Sequence, residues 1–246
     1  MHHPRGNLIG SGKEAEVYEF GDRVLKLYRA GPRKGSAFRE AAILAAIESL
    51  DVPAPRVLGV EQFDGRWGVI MERAEGPAFA EAALKGGAAL ETHLAAMARL
   101  HAHIHAQPAP ALGAQRAMLR RNISKTPLLD EVLRKRLLDG LAARPDGDRL
   151  CHGDFHPWNI LGNIDTPIVV DWLDASIGVP AADICRSYVL MANARPDIAT
   201  AYVDAYLAAT GIARSEIEAW VPYVAAARLA EGVPDETERL LALARL

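Results

Sequence analysis

The sequence predicts an α+β protein of two lobes: a strand-rich N-terminal lobe, residues 1–74, and a mainly helical C-terminal lobe, residues 75–246. Two changes of pattern predict it. Up to Met71 the apolar residues alternate in short runs, with Gly and Asp between them, as half-buried strands do. From about residue 87 they recur at helical spacing in one segment after another. Gly76-Pro77 punctuates the passage from the first regime to the second. At 246 residues the chain is long enough for one large domain or two small lobes.

Taken in order, Leu8-Ile9 leads into Gly10-Ser11-Gly12, and Glu16 to Phe20 then alternates. Gly21-Asp22 turns the chain into a second alternating run, Arg23 to Tyr28. Lys26 stands inside that run, where a charge is unfavourable unless it meets solvent or a partner. The spacing of Phe38, Ile43, Leu44 and Ile47 predicts a helix over 36–50, stopped by Pro53 and Pro55. Glu40, in its first turns, is the candidate partner for Lys26, with Glu48 the nearest rival. Two further strands follow, Arg56 to Val60 and Trp67 to Met71, with Asp64-Gly65 turning between them. Glu72 to Gly76 reads as a linker.

Leu90, Leu94, Met97, Leu100 and Ile104 predict a helix over 87–106. Its four histidines include His101 and His105, four apart and able to share a face. Without a Glu-x-x-His arrangement they read as core or surface residues, not as metal ligands. After a Pro-rich loop, 106–113, helical patterns cover 114–122 and 127–143, and Arg149 to Cys151 reads as a strand. It delivers His152-Gly153-Asp154-Phe155-His156-Pro157-Trp158-Asn159, after which Ile160-Leu161 and Ile168 to Val170 are strands and Asp171 ends the second. His152 reads as a brace for the loop and Trp158 as packing. His156 falls between Asp154 and Asn159 and is a candidate to sit near phosphates. Asp183 reads as the start of a helix, where it caps the helix or hydrogen-bonds the loop at 152–159. Helices then cover 184–194, 196–210, 214–229 and the stretch from about 234.

The chemistry concentrates in the stretch 152–171. A hairpin there would bring Asp154, Asn159 and Asp171 around one cavity, and two carboxylates with one amide oxygen suit Mg²⁺ bound to phosphates better than Zn²⁺. Asp-x-x-x-x-Asn followed by a strand-end Asp is the arrangement used by phosphoryl-transfer enzymes of the kinase type. There the first Asp accepts the proton of the attacking hydroxyl, while the Asn and the later Asp hold the metal. His-Gly-Asp stands here in place of His-Arg-Asp, and Asp-Trp-Leu in place of Asp-Phe-Gly. In both departures the chain resembles the aminoglycoside phosphotransferase and choline kinase family, the small-molecule relatives of protein kinases.

The resemblance implies a two-lobed protein-kinase-like fold, with ATP and Mg²⁺ as cofactors. It makes Asp154 catalytic and Asn159 and Asp171 the metal ligands. Lys26 becomes the lysine on the nucleotide phosphates, fixed by Glu40. The Gly-rich hairpin becomes their cover: Gly10, Gly12 and Val17 match Gly-x-Gly-x-x-Gly-x-Val, with Ser11 between the glycines and Ala15 at the third one. A Walker A loop fits worse, since Asn7 and Glu14 stand where it needs Gly and Ser/Thr. The segment with Met71, Glu72 and Ala74 becomes the linker whose backbone holds the adenine. Pro180 and Asp183 keep the family's pattern beyond Asp171, while Val179 replaces an expected Asp.

The implied reaction is transfer of the ATP γ-phosphate to a hydroxyl of a small molecule: an aminoglycoside, choline or ethanolamine, a sugar or a similar alcohol. The alternative is a nucleotide-binding scaffold of the same fold without catalysis. No long activation segment follows Asp171, which points away from a protein substrate. Asp174, Asp204 and Glu216 are acids able to draw a cation, or merely solvated helix faces. A net charge of -3 gives no field for nucleic acid. Neither a signal-peptide core at Met1 to Gly6 nor an apolar run of the ~20 residues a membrane span needs is present. Two cysteines, Cys151 and Cys185, suit a reducing cytoplasm. The expected state is a monomer, with a dimer left open.

Overall fold

The computed structural model describes residues 5–31, 33–108 and 111–246, with the side chains of 82–84 left aside. The expected signal-peptide-free start at 1–4 and part of the Pro-rich loop, 109 and 110, lie outside the described residues. Two compact units are present: Met1–Phe79 with Trp158–Leu173, and Ala80–Pro157 with Asp174–Leu246.

The first unit is built on a five-stranded antiparallel sheet, with β1 (Leu8–Ser11), β2 (Ala15–Phe20), β3 (Arg23–Tyr28), β4 (Val57–Phe63) and β5 (Arg66–Glu72) in the order β1-β2-β3-β5-β4. Phe20, Leu25, Leu27 and Ile70 form its core, with Tyr18 and Phe63 packed against them. Helix α1 (Lys34–Ile47) packs on β4 and β5 through Ala37, Ile43, Leu44 and Ile47. The chain returns to this unit as a small hairpin, β7 (Ile160–Gly162) and β8 (Pro167–Val169). Val169 N–H donates to Pro53 O at 2.7 Å and Gly162 N–H to Pro77 O at 3.0 Å, which ties the hairpin to the chain just before β4 and just after β5. The contact is close: Gly76 has φ +98°, and a Cβ there would stand 2.8 Å from Gly162 Cα.

Helix α2 (Phe79–Lys85), which the sequence did not announce, carries the chain into the second unit. There α3 (Gly87–Ala106) packs on α7 (Pro196–Thr210), α4 (Gln115–Lys125) on α5 (Glu131–Ala142) and α9 (Val221–Arg228), and α6 (Pro180–Met191) on α7 and α9. Strands β6 (Arg149–Cys151) and β9 (Ser176–Gly178) pair antiparallel. The expected helix over 214–229 is two helices, α8 (Arg214–Glu218) and α9, with α10 (Thr237–Ala244) packed on α9. Pro222, in the first turn of α9, supplies no amide to a continuing helix. The helix expected at 127–143 begins at Glu131 because Asp130 caps it, its carboxylate accepting from Leu133 N–H at 2.8 Å. The helix expected from 184 starts at Pro180, a residue preorganised for a first helical position. Asp183 is therefore inside the first turn and is not the cap. Trp158 is corrected too: its side chain is 59% exposed and is not core packing. It is the middle residue of a short 3-10 turn, Pro157–Asn159.

Candidate active site

In the first unit the sequence brings its charged residues together at one spot. Lys26 lies on β3, the middle strand, paired with Val17 and Val69, so its side chain is confined by neighbours on both sides. Its Nζ donates to Glu40 Oε1 and to Asp171 Oδ1, each at 2.7 Å. Glu40 is 1% exposed on α1, whereas Glu48 is exposed, so Glu40 and not its rival meets the lysine. Tyr28 O–H completes the carboxylate, donating to Glu40 Oε2 at 2.5 Å. Burial disfavours the Lys26 ammonium, but the Glu40 and Asp171 charges outweigh it and hold the pKa above the usual lysine range. Burial, then Glu40, pushes the Tyr28 phenol up, so it remains a donor.

Asp171 follows β8 with φ +64°, a left-handed backbone that a non-glycine residue adopts at a cost. Its side chain is 42% exposed. Asn159, 9% exposed, directly precedes β7, and its carbonyl accepts from Val170 N–H at 2.9 Å. Because Ile160 pairs with Val169, Asn159 and Asp171 flank the same open end of one hairpin. Trp172 anchors that end, fully buried and donating to Val169 O at 2.8 Å.

The Gly-rich turn lies between β1 and β2. Gly10 pairs with Val17, Gly12 N–H donates to Ala15 O at 2.9 Å, and Arg29 donates to Ser11 Oγ at 3.0 Å and to Gly12 O. Neither Gly10 nor Gly12 has positive φ, and a Cβ at either would make only ordinary contacts. What the glycines give this turn is a bare surface, not a special conformation. On β5, Met71 is buried, and Glu72 is held by Arg56, whose Nε donates to Oε1 at 2.6 Å and whose N–H donates to Oε2 at 3.1 Å. Ala74 follows the strand, half-buried.

The second unit carries Asp154. Asp183 grips the loop before it: Oδ2 accepts from His152 N–H at 2.7 Å and Oδ1 from Gly153 N–H at 2.9 Å. Of the two roles read for Asp183, this is the second. Gly153 has φ +83°, and a Cβ there would meet Asp174 O at 2.5 Å, so only glycine fits. Asp154 N–H donates to His152 Nδ1 at 3.2 Å, which makes His152 a brace. His156 Nε2 lies 3.5 Å from Asp154 Oδ2. Burial would raise the Asp154 carboxyl, but the His156 hydrogen bond and charge, then Arg186 and His152, hold it well below the usual carboxylate range. Asp154 is thus ionised at neutral pH.

Behind Asp183 lies a network of polar side chains. His101 Nε2 and His105 Nε2 stand 3.0 and 3.2 Å from Asp183 Oδ2. Their Nδ1 atoms stand 2.5 Å from Tyr202 Oη and 2.8 Å from Tyr206 Oη. With Asp183 ionised, both Nε2 groups donate and both Nδ1 atoms accept. The trio has the composition of a metal site, yet each of these ring nitrogens already has a protein partner, and Asp183 also serves two backbone amides. It is a buried brace, in keeping with the reading of core histidines. Burial, then His105, pushes His101 down to about 3. Tyr202 and Tyr206 gave no signal in the sequence. Tyr28 gave a weak one, standing two residues from Lys26 on the same face of a strand.

Acids, an amide and a lysine are residue types that phosphoryl-transfer chemistry uses. The model of the phosphotransferase enzyme family matches residues 5–220. The chain belongs to that family. It is a small-molecule phosphotransferase of the kinase-like α+β fold. The apo form of a thermostable mutant of aminoglycoside phosphotransferase APH(4)-Ia aligns with it at TM-score 0.72 and 17% identity, over 98% of this chain and 94% of that one. An aminoglycoside-3'-phosphotransferase of type VIII gives TM-score 0.64 at 20% identity, over 94% and 93% of the two chains. APH(3'')-Id from Streptomyces rimosus, in complex with ADP and streptomycin, gives 0.62 at 19% identity, over 86% and 90%. At these identities the likeness is one of fold. No curated protein matches the chain. Among the described residues of the phosphotransferase, no helix is long and apolar enough to cross a membrane.

Proposed function

We propose that this phosphotransferase transfers the γ-phosphate of ATP to a hydroxyl of a small molecule, with Asp154 as the proton acceptor and Asn159 and Asp171 as the Mg²⁺ ligands. The observation that carries the reading is Lys26 Nζ held at 2.7 Å by both Glu40 and Asp171, which fixes a cation beside a candidate metal carboxylate. Asn159 and Asp171 supply an amide and a carboxylate oxygen from one end of one hairpin, a hard-oxygen donor pair that fits Mg²⁺. Mg²⁺ held by Asn159 and Asp171 would offset the negative charge of the phosphates. Lys26 binds the α- and β-phosphates, the turn with Gly10, Ser11, Gly12 and Val17 covers them by its backbone N–H groups, and the backbone at Met71, Glu72 and Ala74 takes the adenine. We keep residues 1–74 as the nucleotide lobe and 75–246 as the lobe of catalysis and acceptor binding. Asp154 orients the acceptor hydroxyl and takes its proton, and most of the acceleration comes from positioning and charge neutralisation.

For the acceptor, aminoglycosides come first. Structural neighbours are complexes with hygromycin B and with streptomycin. Choline, ethanolamine and sugars are the other arms of the panel. The buried free thiols Cys151 and Cys185 support a reducing cytoplasm, and we propose a monomer. The test measures ADP release from ATP and Mg²⁺ over that panel, with ATP affinity by calorimetry. We expect an active acceptor, and Asp154→Ala to lower kcat by about 10²-fold or more with little change in ATP Kd. ATP binding without turnover on any acceptor would favour the scaffold. Full turnover in Asp154→Ala would remove Asp154 from its role.

A further inference from the structure

Helix α6 touches the catalytic loop twice. Asp183 holds the His152 and Gly153 amides from one side. Arg186, three residues on and on the same face of the helix, holds the other: its Nε donates to Gly153 O at 3.1 Å. The peptide between Gly153 and Asp154 is therefore fixed at both ends, its carbonyl by Arg186 and its N–H by His152 Nδ1 at 3.2 Å. This peptide immediately precedes the Asp154 Cα, so its plane sets where the carboxylate points. With φ +83°, Gly153 has the freedom to let the plane rotate, and hydrogen bonds must supply the restraint.

Arg186 is itself fixed. Its Nη2 meets Glu231 Oε1 at 2.6 Å, and the other oxygen of that carboxylate, Oε2, accepts from Arg228. Arg228 grips Glu236 in a two-pronged pair, at 2.7 and 2.8 Å. Arg186 and Arg228 side chains are 14% and 13% exposed, and Glu236 is 5% exposed. Pairs this sheltered hold their geometry, as exposed ones do not.

We propose that Arg186 is a positioning residue for phosphoryl transfer, which locks the Gly153–Asp154 peptide and aims Asp154, and that residues 228–236 hold it in place through Glu231. The proposal rests on Asp154 being the proton acceptor. Charged and titratable groups facing Asp154 are His152 and His156 of its own loop, Arg186 of α6 and Arg228 of α9. Loss of the Arg186 charge leaves Asp154 easier to protonate, so the acid limb of the kcat profile moves to higher pH.

The test compares the parent with Arg186→Met, Arg186→Lys, Glu231→Gln and Asp154→Ala. Steady-state ADP release is read with water as the acceptor and with the most active alcohol of the panel. ATP affinity and amide hydrogen exchange at residues 152–156 are read alongside. Arg186→Met should lower kcat about tenfold or more, leave ATP Kd unchanged, speed exchange of the Asp154 amide and move the acid limb upward. Arg186→Lys should restore the limb but only part of kcat, because an ammonium cannot serve Gly153 O and Glu231 as a guanidinium fork does. Glu231→Gln should show the same changes, smaller. Parent-like kcat and exchange in Arg186→Met, or a kcat loss with exchange of the Asp154 amide unchanged, would overturn the proposal. Asp154→Ala separates the two failures. If it keeps full turnover, the functional reading falls; if it is inactive while Arg186→Met is not, only the role of Arg186 does.

Discussion

Lys26 is a charged residue in the middle strand of a sheet, and its two carboxylate partners explain why it is tolerated there. Removing one member of a sheltered ion pair leaves the other desolvated and unpaired, at a cost of about 3–5 kcal/mol. The cost should be unequal here. Lys26→Met leaves the Glu40 carboxylate, 1% exposed, with the Tyr28 hydroxyl as its side-chain donor among the described residues. Glu40→Gln leaves Lys26 with Asp171, and the new amide can still accept. Lys26→Met should thus destabilise more than Glu40→Gln, and the double variant should lose less than the sum by about 1 kcal/mol or more, as expected within one network. Urea unfolding of the four proteins measures this, and strictly additive losses would mean the two residues do not act together. The pair itself was legible, since a lysine inside a strand pattern needs an acid and the next helix offers one in its first turns. The second partner, Asp171, was read only as a metal ligand, because 145 residues of chain separate it from Lys26 and spacing says nothing about such a contact.

Helices α3 and α6 meet the loop at 152–159 through one buried carboxylate, Asp183, which receives His101 and His105 from α3 and the amides of His152 and Gly153, with Tyr202 and Tyr206 of α7 on the far side of the two imidazoles. The elements were largely legible. The α3 and α7 patterns predicted Gly87–Ala106 and Pro196–Thr210, because long amphipathic periods are the strongest local signal. Strand β9 was missed, for its three residues are too few to show a period. The polar contacts between helices were missed as well, since a His at helical spacing looks the same whether it faces solvent or a buried Asp. That burial has a pH consequence. His101 is held down to about 3, while in the unfolded chain it titrates near 6.5. Below about 6.5 the unfolded chain binds the proton and the native protein does not, so this group's contribution is intact above 6.5 and is lost as pH falls toward 3. Stability should decline on acidification from about pH 6.5, with up to about 1.4 kcal/mol per pH unit from this group. His101→Gln should be less stable than the parent at pH 7.5 but should show a flatter decline, as read by urea unfolding from pH 7.5 to 4.5. Equal slopes would assign the proton to another group.

At the scale of the molecule, the units do not follow the order of the chain. The first takes in Met1–Phe79 and, much later, Trp158–Leu173. The returning segment supplies the β7–β8 hairpin, whose Val169 and Gly162 amides donate to Pro53 O and Pro77 O, one side of an isolated bridge between Ala78 and Leu161, and the Asp171 carboxylate that accepts from Lys26. No periodicity in a linear sequence announces that a segment 80 residues downstream completes an upstream unit, which is why the sequence reading divides the chain at a single point. The arrangement makes a prediction about fragments. Residues 1–79 alone keep the five-stranded sheet and α1, but leave Lys26 with Glu40 only and uncover the groups that meet Gly162 and Val169. A unit that small has little stability to lose. The fragment should therefore melt at lower temperature and less cooperatively than the same fragment joined to 158–173 by a flexible Gly/Ser linker of about 20 residues, which spans on the order of 25 Å. Asp171→Ala in the joined form should remove part of the gain, through Lys26. Circular dichroism melts of the three proteins decide it: if 1–79 melts as the joined form does, the hairpin is a passenger on the first unit and contributes nothing to its stability.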